Sequence, residues 1–329
     1  MTSAREEKTR RRLEQLQEQE DDGRSVRLTQ AELVSRVDKL NADLKHAWRS
    51  EERVRALKIA IQVSKMLGDT AFPTFFPTVF AVVAEILDAF GELVYERVLA
   101  KGTPRGKVLP PGYTPEEVAE EGAETTKNWF YKVASIRELV PRFYVELAII
   151  KCYRMLMPAA ELPGVLRRMV LMVRGFGDPL AATYARSYLV HKAMQVAPHM
   201  TQQLVQEPLW DTFTVYKQQL ANETFQKKMA ARVAASGTGG TLIEYFQTFI
   251  PALEWLTQVI AERNPTHEML KEMIKLYMAN CKSTLVLNCI LASFEPALVS
   301  DNALAMCELI KAADATAYPK YHLYVSLGA

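Results

Sequence analysis

The chain has 329 residues, 49% of them hydrophobic, with 14 glycines and a formal charge of +2. Forty basic against 38 acidic side chains leave no global field to hold a phosphate backbone, so no nucleic-acid partner is implied, nor firm attraction to an anionic membrane. The length exceeds that at which one core keeps growing, and the glycine-poor, Leu/Ala/Glu/Lys/Arg-rich composition favours an elongated helical array over two separate domains.

Residues 1–28 are expected to be a charged, solvated tail. Basic Arg10-Arg11-Arg12 is followed by acidic Glu18-Gln19-Glu20-Asp21-Asp22, with no apolar run of secretory-leader length. From residue 29 the pattern becomes helical. Leu33, Val37, Leu40, Leu44 and Trp48 form one stripe, and Val54, Leu57, Ile61 and Leu67 form a second, ending at Gly68-Asp69, where a left-handed stop is expected. Residues 75–100 predict a long helix packed on two sides. Pro73, Thr74, Pro77, Glu85 and Asp88 interrupt its most apolar part, Phe72 to Phe90, which is therefore expected to fall short of a bilayer span.

The segment 102–112 holds three prolines and three glycines and is the clearest loop. Thr114-Pro115-Glu116-Glu117 then predicts an N-cap, a proline at the first helical position and a capping-box glutamate, opening a helix through Trp129 and Val133. Pro141, Pro158, Pro163, Asp178-Pro179, Pro198, Pro208, Asn264-Pro265 and Glu295-Pro296 punctuate the remainder, with Asp178 and Asn264 expected as caps. A second loop is expected at 222–241. No alternating, β-branched run predicts a sheet, and neither tetratricopeptide nor ankyrin signatures occur. The fold class is all-α, a HEAT-like α-solenoid of about a dozen helices over 29–329, expected to continue past the last residue because the chain ends on apolar Leu323 to Ala329.

Catalytic signals are missing. The five histidines (His46, His191, His199, His267, His322) show no metal-binding spacing, and the four cysteines are far apart and read as reduced, buried hydrophobes. Gly175-Phe176-Gly177 and Gly237-Thr238-Gly239-Gly240 lack the strand or the Lys-Ser/Thr of a phosphate loop and are expected to be turns. No cofactor is implied. Two segments are not explained by periodicity. In Ser135 to Glu146, Pro141 opens a helix with Arg142 close behind, where the macrodipole disfavours a cation. Arg142 then either pairs with Glu138 or Glu146 or anchors an interface, for which Arg and Tyr are typical residues. The second, Arg174-Gly175-Phe176-Gly177-Asp178-Pro179-Leu180, predicts a tight turn with a capped helix behind it and is a candidate partner-facing turn through Arg174, Gly175, Asp178 and Pro179.

At these residues a family likeness emerges. Pro141-Arg142-Phe143-Tyr144-Val145 resembles the Pro-Arg-Leu-Tyr-Leu signature of the retromer's large scaffold subunit, and Arg174-Gly175 through Pro179-Leu180 to Arg186-Ser187-Tyr188-Leu189 resembles its Arg-Gly-x-x-x-Pro-Leu…Arg-x-Tyr-Leu stretch. The stretches from Leu40 to Arg49, Phe90 to Arg97 and Ala134 to Glu146 are more similar still to the retriever-type branch of that family. The resemblance implies a non-catalytic endosomal scaffold on the cytosolic face, bridging an arrestin-fold small subunit and a metallophosphoesterase-fold subunit. It further implies a sorting-nexin cargo adaptor and a COMMD/coiled-coil assembly as partners. Pro141, Arg142, Phe143, Tyr144 and Glu146 inherit the arrestin-fold contact, while the phosphoesterase-fold site is expected to lie beyond this chain. A retromer-type scaffold, or an unrelated helical-repeat or lipid-binding protein, remains the alternative.

Overall fold

A computed structural model describes residues 30–105, 107–197, 202–235, 241–315 and 318–328. The tail 1–28, Pro198, His199 and the glycine run 237–240 lie outside them. Sixteen α-helices and no strand occur among the described residues: α1 (Gln30–Arg49), α2 (Arg53–Lys65), α3 (Phe76–Gly102), α4 (Glu120–Ala134), α5 (Leu139–Ala148), α6 (Leu162–Val173), α7 (Pro179–Val196), α8 (Gln202–Val215), α9 (Glu223–Ala235), α10 (Leu242–Gln247), α11 (Ile250–Arg263), α12 (His267–Asn280), α13 (Thr284–Ser293), α14 (Pro296–Ser300), α15 (Ala303–Ala312) and α16 (Lys320–Gly328). Several are short, which is why the number exceeds the dozen expected.

Helices pack mainly on close neighbours in the chain. α1 folds back on α2, α3 lies against α1, α2, α4 and α5, α7 against α6, α8 and α11, and α11 against α13, which meets α16. One continuous core runs from Val37 to Leu323, as expected when each unit buries its apolar face only by stacking on the next. The architecture is an all-α solenoid.

Local chemistry departs from expectation at identifiable points. Gly68 does not adopt a positive φ: α2 ends through a 3-10 turn, Met66–Gly68, and Gly68 sits against Val140. The left-handed residue at this hairpin is Glu51 (φ 63°), between α1 and α2. Thr114 does form the capping box, its N–H donating to Glu117 Oε2 at 2.8 Å, but it caps a 3-10 turn (Pro115–Glu117) before extended Val118-Ala119 leads into α4. Asp178 caps α7 as expected, accepting from the N–H groups of Leu180 and Ala181. Asn264 instead closes α11, and Thr266 caps α12 by accepting from Met269 N–H, because the chain needs two more residues to turn. Pro208 lies inside α8 rather than between helices, and the loop expected at 222–241 is mostly helical, since α9 runs over Glu223–Ala235.

Two further expectations are corrected. The segment Pro73–Gly102 is long and apolar enough, by length and composition, to cross a membrane, since the helix continues past the interruptions. Here its apolar residues face four neighbouring helices. Three of the free cysteines are buried, but Cys307 is only half-buried. Gly91 and Gly122 allow the closest helix approaches. A Cβ on Gly91 would lie 2.0 Å from the Ala148 carbonyl oxygen, and one on Gly122 2.2 Å from Gly102 Cα. Gly91 therefore pins the end of α5 directly to α3.

Candidate partner-binding site

α5 begins at Leu139 after Glu138, whose carbonyl accepts from Arg142 N–H at 3.2 Å. Arg142 thus sits at the first backbone bond of the helix, its guanidinium near the positive end of the dipole. Neither candidate partner serves it. Glu138 pairs with Lys65 at 2.5 Å, and Glu146 is held by Arg168 and by the Tyr153 hydroxyl, which donates at 2.8 Å. The Nε of Arg142 is buried with no hydrogen-bond partner, and the side chain makes no ion pair among the described residues. A buried donor so placed is unsatisfied among the described residues.

The rest of the motif points inward. Phe143 and Tyr144 are 0% exposed, and Pro141 and Glu146 are buried. Phe143 meets Phe176 edge-on at 5.3 Å, and Tyr144 lies 5.5 Å from Tyr188. Burial pushes the Tyr144 phenol well above its ordinary pKa, and its hydroxyl has no partner among the described residues. Of the five residues assigned to the partner contact, Arg142 keeps accessible surface while the other four form its support. Leu139, 37% exposed at the same helix start, was not singled out from sequence. Its signal was available, since it is an apolar residue at the first helical position with nothing polar to cover it.

The second segment packs directly onto the first. Phe176 supplies the ring against Phe143, and a Cβ on Gly175 would lie 2.9 Å from Leu139 Cδ2. Arg174, at the end of α6, donates through Nε to Asp211 Oδ2 (2.8 Å) and through Nη2 to Glu207 (2.8 Å), both on α8. The hydrogen bond to Asp211 is the main reason its pKa is raised. Besides capping α7, Asp178 accepts from the Thr70 hydroxyl at 2.7 Å and lies 3.9 Å from Arg232. Pro179 is buried at the first position of α7. Arg186, about two turns further along, is 3% exposed, with Nε and Nη1 unpartnered among the described residues. Burial lowers its pKa to about 10, with Asp211 opposing that shift and Arg174 adding to it, so it stays charged at neutral pH.

The arrangement offers binding rather than bond-making geometry: an accessible guanidinium and an apolar side chain on a rigid aromatic base. Among the described residues no three His, Cys, Asp or Glu side chains cluster at metal-binding range.

The sequence profile of the VPS35L family matches residues 1–237, and that of the VPS35L C-terminal domain matches residues 265–329. The chain is 38% identical over 328 residues to the rat VPS35 endosomal protein-sorting factor-like protein, covering 99% of this chain and 34% of the relative. Identity to the human protein of that name is 38% over 329 residues, 99% of this chain and 33% of the relative. For the Dictyostelium discoideum protein it is 36% over 323 residues, 96% and 31%. The chain spans about a third of the length of the curated relatives it matches. With this likeness along nearly all of its residues and an all-α solenoid beneath it, the chain belongs to the VPS35L family.

Proposed function

We propose that this chain is a non-catalytic scaffold of a retriever-type endosomal sorting complex, recycling membrane cargo from endosomes to the plasma membrane. In this reading it works at the cytosolic face of the endosome as a peripheral protein and docks an arrestin-fold small subunit at the start of α5. The names of its relatives support the sorting role. The observation that carries the docking site is Arg142, half-buried, with an unpartnered Nε and both nearby carboxylates taken by other groups. A partner carboxylate or carbonyl would satisfy it, with Leu139 as the apolar neighbour that excludes water. The metallophosphoesterase-fold subunit, the sorting-nexin adaptor and the COMMD/coiled-coil assembly belong to the same proposal, resting on family membership alone.

Co-purification with retriever-type and retromer-type arrestin-fold subunits tests it, wild type beside Arg142→Glu. Wild type is expected to retain the retriever-type subunit, and the variant to lose it with its helical circular dichroism unchanged. Equal retention by the variant would remove Arg142 from the interface, and preference for the retromer-type subunit would move the chain to that complex.

A further inference from the structure

A half-open groove of about 320 Å³ lies between α3, α7 and α11. Phe80, Tyr184, Tyr188, His191 and Trp255 give it aromatic walls, and Asp88 contributes a carboxylate. The rings are held in place. The Tyr184 hydroxyl donates to the Thr248 carbonyl at 2.7 Å and that of Tyr188 to Asp88 Oδ1 at 2.7 Å. Phe80 lies 4.7 Å from Tyr184, and His191 lies 5.5 Å from Trp255.

The carboxylate is unevenly used. Lys192 Nζ lies 2.8 Å from the same Oδ1 that accepts from Tyr188, and Oδ2 has no hydrogen-bond partner among the described residues. The Asp88 side chain is 35% exposed, whereas that of Lys192 is 6% exposed. The groove therefore presents an open carboxylate acceptor amid fixed ring faces. The charge of Asp88 is already balanced by Lys192, so a second cation would meet like-charge repulsion, while a neutral donor would not. An aliphatic occupant would cover Oδ2 without bonding it, at the cost of an unsatisfied acceptor.

We propose that this groove docks a tyrosine side chain presented by a partner protein, the ring packed among the aromatic walls and the phenol O–H donating to Asp88 Oδ2. Aromatic anchors entering preformed pockets on an extended helical surface are how solenoids gain affinity from few residues. The hydrogen bond to a carboxylate sets the expected selectivity, because a site that offers a charged acceptor discriminates against the same ring without its hydroxyl.

Saturation-transfer NMR titrations of the whole chain with N-acetyl-tyrosine amide, N-acetyl-phenylalanine amide and N-acetyl-leucine amide test this. The tyrosine probe should bind roughly tenfold more tightly than the phenylalanine probe, and the leucine probe more weakly still. Ala84→Trp, which fills the groove from α3, should abolish binding of all three with its melting temperature preserved. Replacing the pair together, Asp88→Leu with Lys192→Met, should erase the tyrosine preference. Equal binding of the leucine and tyrosine probes, a tyrosine preference that survives the double replacement, or undiminished binding to Ala84→Trp would each overturn the proposal.

Discussion

At the start of α5, Arg142 keeps a buried, unpartnered Nε, while one carboxylate in reach goes to Lys65 and the other to Arg168. At the end of α6, in contact with it, Arg174 closes on Asp211 and Glu207, and a further arginine, Arg186, lies buried behind the pair. One segment has fewer acceptors than cations, and the other satisfies its exposed cation completely. The difference separates a surface prepared for an outside partner from a turn that holds the solenoid together. It predicts opposite responses to removing charge.

The largest expected effect is at Glu146. Glu146→Gln keeps an acceptor for Tyr153 but breaks the pair with Arg168, and should cost about 1–2 kcal/mol. That is less than a fully buried pair would lose, because Arg168 is 43% exposed and can turn to water. Arg142→Met, immediately before the buried aromatic pair, should stay within about 0.5 kcal/mol of wild type, since it removes a donor that nothing accepts. Chemical denaturation of both variants checks the contrast. A loss of 2 kcal/mol or more at Arg142, on the order set for broken charge networks, would show that the residue is structural.

The middle-sized effect concerns the turn. Arg174→Ala leaves Glu207 and Asp211 facing each other, each 18% exposed, with the Arg186 guanidinium nearby to take over Asp211. The single loss should stay near about 1 kcal/mol, and Arg186→Met alone should be close to neutral because its Nε and Nη1 are unpartnered. The double variant should then lose more than the sum, by roughly 0.5–1 kcal/mol, in a thermodynamic cycle. Strict additivity would mean that Arg186 does not stand in reserve.

How much of this was legible depends on the range of the interaction. Periodicity placed α1 to α3, and local capping rules placed Asp178 before α7, because both act within a few residues. The same rules misplaced the cap at Asn264 and, at Gly68, gave the right end of the helix but the wrong backbone conformation, where the outcome depends on how the chain reaches the next packed helix. The sequence pattern marked Pro141 to Glu146 and Arg174 to Pro179 as unusual. It could not show that they touch, that Phe143 and Tyr144 are wholly buried, or that Glu146 belongs to Arg168, which lies 22 residues away in sequence. The aromatic groove was not anticipated, since its lining residues come from three helices spread from Pro77 to Trp255 in sequence.

A substitution with little expected effect on stability is also the most direct test of the contact between the two segments. Gly175→Ala would place a Cβ 2.9 Å from Leu139 Cδ2 and 3.3 Å from the Met172 carbonyl oxygen. The nearer atom is the end of a flexible leucine that is 37% exposed, so it can swing aside, unlike the backbone carbonyl that opposes Gly91. Gly175 has no positive φ, so the substitution adds no backbone strain and also restricts the unfolded chain. Stability should therefore change by less than about 1 kcal/mol. If Leu139 flanks Arg142 in the docking surface, the displaced leucine should nevertheless weaken retention of the arrestin-fold subunit several-fold. Unchanged retention with a displaced Leu139 would confine the contact to Arg142, and a stability loss as large as that of Glu146→Gln would show that the α6–α7 turn and the start of α5 are locked as one rigid unit.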